Sequence, residues 1–338
     1  MKCSVVILNW NGEKTLKKFL PSVIRHTQLP DTEIVVADNG STDGSVDYLK
    51  TQPVRLIQLD QNYGFAEGYN RAIQQIDAEY VVLLNSDIEP TDRWLDVMLE
   101  YMDQHQDVVA AQPKVLSWHS KQQFAAGETD AIRFEHAGAA GGMLDALGYP
   151  YCRGRLMTYI EDDHGQYDDT IPIFWATGAC MLVRMQVYEE LGGLDGAFFA
   201  HQEEIDFCWR IHNAYPSSTI VCIPQATVYH VGGGTLGYEN PRKTFLNFRN
   251  NLLMIYKNMP TTRLWWVMSI RFAMDYLAAI QMLLTHQVPN MKAVFQARRA
   301  FHRMKHTYPR NNQASTIGTR LLTKRSIVFD FYLLKKKQ

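Results

Sequence analysis

The five cysteines of this 338-residue chain, Cys3, Cys152, Cys180, Cys208 and Cys222, are odd in number and far apart, and none forms a C-x-x-C pair. That excludes a thiolate zinc site of ordinary spacing and a dense disulfide framework. Free thiols in a reducing cytoplasm are expected. The first residues, MKCSVVILNWNGEK, hold neither an adequate apolar core nor a small-residue cleavage site, so no signal peptide is expected. No G-x-G-x-x-G follows the first apolar run, where NWNGEK stands instead, which removes the dinucleotide-coenzyme fingerprint. Acidic residues are nearly missing from the end of the chain. Residues 291–338 hold 12 Lys and Arg against the single acid Asp330.

The net charge of −1 therefore hides an asymmetry, because residues 1–290 carry −12. A basic, aromatic-containing tail fits contact with an anionic surface, and equally a solvated helical tail. No motif behind it points to nucleic acid. Hydrophobic residues make up 46% of the chain and charged ones 20%, enough for a sizeable core and no sign of disorder.

Apolar, β-prone runs alternate with helical patterns over the first 110 residues. SVVILNW (4–10), TEIVVADNGS (32–41), VRLIQLD (54–60) and EYVVLLNSD (79–87) read as strands. Between them TLKKFLPSVIRH, with Pro21 at a turn or kink, DGSVDYLKTQ, with Asp43 as N-cap, and FAEGYNRAIQQID read as helices. Unbroken Val/Ile/Leu runs between amphipathic helices imply βαβ units, a mostly parallel sheet and an α/β doubly wound nucleotide-binding half. Residues 111–175 predict long loops and short strands. STIVCIPQATVYHVGGGT (218–235) reads as two short strands entering a glycine turn, and from Pro241 onward the pattern is helical. The expected organisation is one α/β unit over 1–240, with a nucleotide-binding half (1–110) and a second half (111–240), then a basic helical extension over 241–338.

Chemistry-bearing side chains fall at element ends. Asp38 closes the second strand and Asp87 the fourth, Glu203 and Glu204 open a helix in HQEEIDFCWR, and His230 closes a strand. Each has an ordinary alternative as a turn residue, a helix-start carboxylate or a core histidine. Together they meet one need: a nucleotide, a divalent metal and an acid–base group in one site.

Seven stretches, VVILNWNGEKTLKKFL, VVADNGSTDGS, NYGFAEGYNRAI, LLNSDIEP, WATGACMLVR, EEIDFCWR and VYHVGGGT, follow one another in an order that resembles family-2 inverting glycosyltransferases of the GT-A fold. The branch of bacterial rhamnosyltransferases that build cell-surface polysaccharide is the most similar, over residues 3–258. The resemblance implies a sugar moved from a nucleotide-diphospho-sugar, UDP- or dTDP-linked with dTDP-rhamnose as the leading case, to a saccharide or polyprenyl-linked acceptor. It implies Asp38 as the carboxylate that reads the base, with Asn9, Asn11, Asn62, Gly64 and Ser86 around the nucleotide. Asp87 stands where the family's D-x-D element ends, although here the element is reduced to Asn85-Ser86-Asp87. With His230 it is the implied ligand pair for Mn2+ or Mg2+, the imidazole leaning toward Mn2+. The family's E-D element reads Glu203-Glu204, which puts Glu204 in the general-base position and leaves Glu203 as the alternative. Trp175 and Gly178 are the implied acceptor wall, with Glu203, Asp206, Trp209 and Arg210 on the acceptor side.

The segment RLWWVMSIRFAMDYLAAIQMLLTH (263–286) holds Arg271 and Asp275 mid-run, each costing roughly 2.5–3.5 kcal/mol at a bilayer centre, which argues against a transmembrane span. Either an in-plane helix with Trp265 and Trp266 at the interface of an anionic inner leaflet is expected, or a helix packed on the catalytic unit or on a second copy in a homodimer. Rival functions are a catalytically inactive nucleotide-sugar-binding module and a processive synthase, the latter opposed by the missing Q-x-x-R-W element and multiple spans.

Overall fold

The computed structural model describes residues 1–232, 240–308, 321–332 and 334–335. Four strands, β1 (Cys3–Asn9), β2 (Thr32–Asn39), β3 (Arg55–Leu59) and β4 (Tyr80–Asn85), alternate with helices α1 (Glu13–His26), α2 (Ser45–Leu49) and α3 (Gly64–Ile73). A short β5 (Ile88–Pro90) leads to α4 (Trp94–Gln104), β6 (Val108–Ser117) and α5 (Trp118–Ala125). Residues 132–163 form two small side sheets of two- and three-residue strands. The main sheet resumes with β7 (Ile171–Pro172) and β8 (Cys180–Arg184), then α6 (Met185–Glu190), α7 (Glu203–Ala214) and β9 (Thr219–His230). Helices α8 (Pro241–Asn258), α9 (Thr261–Leu284), α10 (Val288–Met304) and α11 (Ile327–Tyr332) follow.

The nine-stranded sheet runs β7-β9-β6-β8-β4-β1-β2-β3, with β5 paired to β9. β1 is parallel to β2 and β4, and β2 to β3. β8 lies antiparallel between β4 and β6, while β6 and β9 are parallel. The C-terminal ends of β1, β2, β4 and β9 therefore share one sheet edge, and β8 begins there. Ligands of open α/β sheets bind at such an edge.

Both sheet faces are covered, which is why these strands read as unbroken apolar runs. Val5, Ile7, Val82 and Leu84 pack with Leu16 and Leu20 of α1 and Trp94 of α4. The alternate residues Val6, Val81 and Leu83 pack with Tyr69 of α3, Phe207 of α7 and Leu252 of α8. Each such fully buried aliphatic contributes about 1.5–3 kcal/mol.

Three local expectations need correction. Thr219–His230 form one strand, not two, because a register shift between Ile223 and Thr227 absorbs Pro224 as a bulge. Pro21 lies inside α1 without ending it. Asp43 precedes the true N-cap, Gly44, yet still accepts from Ser45 N at 3.0 Å and reaches across to Glu13 N at 3.0 Å, tying α2 to the start of α1. Residues 233–235 of the glycine turn and parts of the basic tail lie outside the described residues.

Helix α9 is built inside out for a surface helix. Arg271 and Asp275 are buried, 3.6 Å apart. Arg271 donates to Leu147 O at 3.2 Å and to Asn251 of α8, and Asp275 accepts from Arg298 of α10. Outward instead point Trp265 (60% exposed), Phe272, Leu277, Ile280 and Leu284 (75% exposed). By length and composition α9 could cross a bilayer, but its two buried charges, Arg271 and Asp275, are committed to α8 and α10.

Candidate active site

Asn9 and Asp38 face one another in register at the ends of β1 and β2. Asn9 Nδ2 donates to Asp38 Oδ1 at 2.9 Å, and Asp38 Oδ2 accepts from Ser41 N at 2.9 Å, so the carboxylate is oriented from two sides while buried. Asn11, at φ 50°, accepts from Thr42 N at 2.7 Å and braces the two loops against each other. Beside them Asn39, which strand-end reading passed over, ties in the third loop. Its Oδ1 accepts from Tyr63 N at 3.0 Å, and its Nδ2 donates to Gly64 O at 3.0 Å and Asn62 Oδ1 at 3.2 Å. Gly64 adopts φ 79°, and a Cβ there would stand 2.5 Å from the Phe199 ring, so only glycine lets this helix start close on the loop before α7.

The tight turn from β4 to β5 carries Ser86 and Asp87. Pairing of β5 with β9 puts His230 opposite Ile88 and brings Asp87 Oδ1 within 3.1 Å of His230 Nε2. The Asn85 amide nitrogen lies 3.3 Å from the same ring nitrogen. Behind the ring, Glu135 Oε2 stands 3.3 Å from Nδ1, close enough for charge though the pair is not aligned as a hydrogen bond. Burial alone would lower the His230 pKa, but Asp87 and Glu135 outweigh it and raise it to about 10. Burial pushes Asp87 upward and the imidazolium more than offsets this, holding it below the ordinary carboxylate range.

The donor set fits a divalent cation that would take the place of the proton on His230 Nε2. Two ligands about 2.1 Å from one ion, at right angles, stand about 3.0 Å apart, close to the Asp87–His230 separation. Glu135 stands behind the ring, where an outer carboxylate would orient a metal-binding histidine. No group of three or more candidate ligands occurs among the described residues.

Glu203 and Glu204 open α7. The Glu203 carboxyl is buried, and its Oε2 finds no hydrogen-bond partner among the described residues. Glu204 Oε2 is likewise shielded and unpartnered. Burial raises Glu204 to about 7, and burial with the adjacent Glu204 charge drives Glu203 well above the ordinary range. Gly178 leads into β8 at the same sheet edge, and a Cβ there would meet Glu204 Cβ at 3.6 Å and the Phe65 ring at 3.4 Å. Asp38, Asp87, His230, Gly178 and Glu204 are thus gathered along one edge.

Four acceptor-side residues fall elsewhere. The Trp175 indole is buried against Gly142 and donates to Met143 O at 2.9 Å. Trp209 is fully buried and packs edge-on to Phe174. Asp206 is also fully buried, taking Arg210 at 2.9 Å, Lys257 at 2.9 Å and Asn258 at 2.7 Å. Arg210 in turn donates to Leu191 O and Gly193 O. Asp206, Trp209 and Arg210 pack α7 against its surroundings, and Trp175 packs on the strand of Gly142–Leu144, which corrects the reading of these four as acceptor contacts.

A mostly parallel sheet with helices on both faces, a C-terminal helical region and carboxylates along its ligand edge define a GT-A glycosyltransferase. Residues 4–192 match the model of glycosyl transferase family 2, and the chain belongs to that family. It is 27% identical over 239 residues, 67% of its length and 75% of the relative's, to an N-acetylglucosaminyl-diphospho-decaprenol L-rhamnosyltransferase of Mycobacterium tuberculosis. It is 23% identical over 255 residues, 74% of each chain, to the low-salt glycan biosynthesis hexosyltransferase Agl10 of Haloferax volcanii. The O-antigen biosynthesis protein RfbC of Myxococcus xanthus is 27% identical over 68% of this chain but only 17% of its own. Among solved structures, S. aureus TarS 1-349 in complex with UDP-GlcNAc superposes with a TM-score of 0.54 over 94% of this chain and 91% of its own, at 15% identity. A mannosyltransferase from Pyrobaculum calidifontis in complex with GDP-Man and Mn2+ gives 0.52 over 98% and 81%, at 13% identity.

Proposed function

We propose that this glycosyltransferase is inverting and metal-assisted, and moves a sugar, with dTDP-rhamnose as the leading donor, from a UDP- or dTDP-sugar to a polyprenyl-diphosphate-linked saccharide. The reaction would serve cell-surface polysaccharide assembly on the cytoplasmic side of the membrane. The observation that carries the catalytic part is Glu204 Oε2, shielded and without a hydrogen-bond partner among the described residues, beside Gly178 on the sheet edge that holds Asp38 and the Asp87–His230 pair. A binding module gains nothing from an unsatisfied buried carboxyl, which costs stability. A general base does gain, because a pKa near 7 suits proton abstraction at neutral pH.

In this reading Asp38, held by Asn9 and Ser41, accepts from the N–H of the pyrimidine ring, and the Asn39–Asn62–Gly64 loop closes beside the nucleotide. Asp87 and His230 would hold a Mn2+ or Mg2+ ion, which would supply charge neutralisation to the diphosphate leaving group. Glu204 takes the proton of the acceptor hydroxyl as that oxygen attacks the anomeric carbon from the face opposite the diphosphate, and Gly178 leaves room for the sugar. The acceptor class rests on the mycobacterial relative, whose name specifies a diphospho-decaprenol-linked sugar.

A lipid-linked acceptor is met at a membrane, and the outward face of α9 fits one. Trp265 and Trp266 sit at one end of that apolar face. The sole acid of α9 and α10, Asp275, is buried, so their exposed charges are cationic. Such a surface complements anionic lipid headgroups better than a second copy of itself. A screen of nucleotide-sugars with Mn2+ and polyprenyl-diphosphate-sugar acceptors, with the product's anomeric configuration read by NMR, tests the whole reading. Retained configuration, or no transfer with any UDP- or dTDP-sugar, would reject it.

A further inference from the structure

The loop that delivers Glu203 and Glu204 is strained. Phe199, His201 and Gln202, all non-glycine, adopt φ of 64°, 71° and 72° immediately before α7. A side chain in that region is disfavoured by Cβ–carbonyl crowding, so such a path persists only where surroundings enforce it.

Three consecutive residues of α8 do the enforcing. Arg249 Nη2 donates to Ala197 O at 3.1 Å and Phe198 O at 3.0 Å. The fully buried Asn250 points one amide nitrogen at three carbonyls, Phe198 O at 3.0 Å, Ala200 O at 2.9 Å and His201 O at 2.7 Å. Arg249 Nε fixes that amide by donating to its Oδ1 at 2.8 Å. Asn251 Nδ2 reaches Gln202 Oε1 at 3.1 Å and Gly148 O at 2.8 Å. From the other side, Phe199 O accepts from Phe65 N at 2.6 Å, in the helix that begins at Gly64. The loop is thereby gripped between α8 and the nucleotide-side helix. Three carbonyl oxygens converging on one point repel each other unless a donor sits among them, and Asn250 is that donor.

We propose that Asn250, supported by Arg249 and Asn251, is a positioning residue for the reaction. It holds the strained turn from residue 197 to 202 so that the carboxyl of Glu204 stays in its shielded place over the acceptor hydroxyl. Asn250 touches neither substrate nor reacting atoms. The proposal rests on Glu204 as base, and goes beyond that reading by assigning the device that aims it. It also gives α8, which lies past the residues matched to the family model, a share in catalysis.

The test compares Asn250→Ala, Arg249→Gln and Glu204→Gln in the full chain. Readouts are kcat against pH, acceptor KM, donor affinity by calorimetry and melting temperature. A misplacement of about 1 Å costs on the order of a hundredfold in rate. Asn250→Ala is expected to lower kcat about ten- to a hundredfold with donor affinity within about twofold. Its acid limb of kcat should move to lower pH, because a loosened turn lets water reach Glu204. Arg249→Gln, which keeps Asn250 in place, should show the same shift to a smaller degree, and decides the matter if Asn250→Ala does not fold. Activity lost only in proportion to the unfolded fraction, with the acid limb unmoved, would overturn the proposal. In that case an inactive Glu204→Gln leaves the base reading standing, whereas near-normal kcat in Glu204→Gln defeats the base reading itself.

Discussion

His230 stands between two carboxylates, with Asp87 Oδ1 3.1 Å from Nε2 and Glu135 Oε2 3.3 Å from Nδ1. The relation of His230 to Glu135 divides labour around one ring: Nε2 faces the open sheet edge, and the Glu135 charge lies against Nδ1 from behind. Outer carboxylates of this kind typically change metal affinity about 10–100-fold when removed. Glu135→Gln should therefore weaken Mn2+ binding by that factor, read by electron paramagnetic resonance titration, while the Asp87 side remains intact. Unchanged Mn2+ affinity would return Glu135 to a purely structural role.

Asp87 itself should be harder to replace. Asp87→Asn keeps the shape of the turn and removes the negative charge a hard cation requires. Turnover should fall to near background in the variant, and chelation with EDTA should do the same to the natural chain, reversed by added Mn2+ or Mg2+. Full activity of Asp87→Asn in EDTA would exclude a metal at this position.

The parts of the site that were legible from sequence are those set by local pattern. Asp38 and Asp87 end unbroken apolar runs, and a parallel strand covered on both faces announces itself that way. Glu135 was not legible, because its irregular surroundings carry no period of 2 or 3.6. The burial of Asp206 was hidden for another reason: its partner Lys257 lies 51 residues away, on a helix whose docking no local rule shows. Arg249-Asn250-Asn251 read as an ordinary polar turn of helix, and only the carbonyls converging on Asn250 reveal what it does. Pro224 concealed the continuity of β9, since a proline inside a strand pattern argues for a break until a bulge is seen.

Membrane attachment is tested without activity. The protein should cosediment with phosphatidylserine-containing vesicles and be released by high salt, because surface attraction is screened over about 10 Å at 0.1 M. Replacing Trp265 and Trp266 together with alanine should weaken binding at every salt concentration, as both lie on the exposed apolar face. Concentration-dependent dimerisation in place of vesicle binding would assign that face to a second copy.

Burial of the α7 carboxyls makes a prediction about stability as well. A carboxyl whose pKa in the folded chain is raised, as at Glu203 and Glu204, binds its proton more tightly folded than unfolded. Its favourable contribution is full below the unfolded value of about 4.3 and is lost as pH climbs through the folded value, about 7 for Glu204. Glu204→Gln should therefore raise the melting temperature at pH 8 and leave it nearly unchanged at pH 4. A loss of stability at pH 8 would mean that the carboxylate is satisfied by contacts absent from this arrangement.

The two glutamates should separate kinetically. Consecutive helix residues point about 100° apart, so only one can face the acceptor hydroxyl. Glu204 is the one beside Gly178 and Phe65, and its raised pKa leaves it about half ionised at neutral pH. Because a base acts in its ionised form, kcat of the natural chain should rise with pH through about 7 and then level. Glu204→Gln should remove that limb and lower kcat roughly 10²–10⁴-fold with donor affinity nearly intact. Glu203→Gln removes a buried carboxyl whose charge is suppressed at neutral pH, so it should mainly alter acceptor KM or packing and keep the limb near pH 7. A limb that survives in Glu204→Gln and vanishes in Glu203→Gln would move the base one residue back. Near-normal kcat in both would place it on neither.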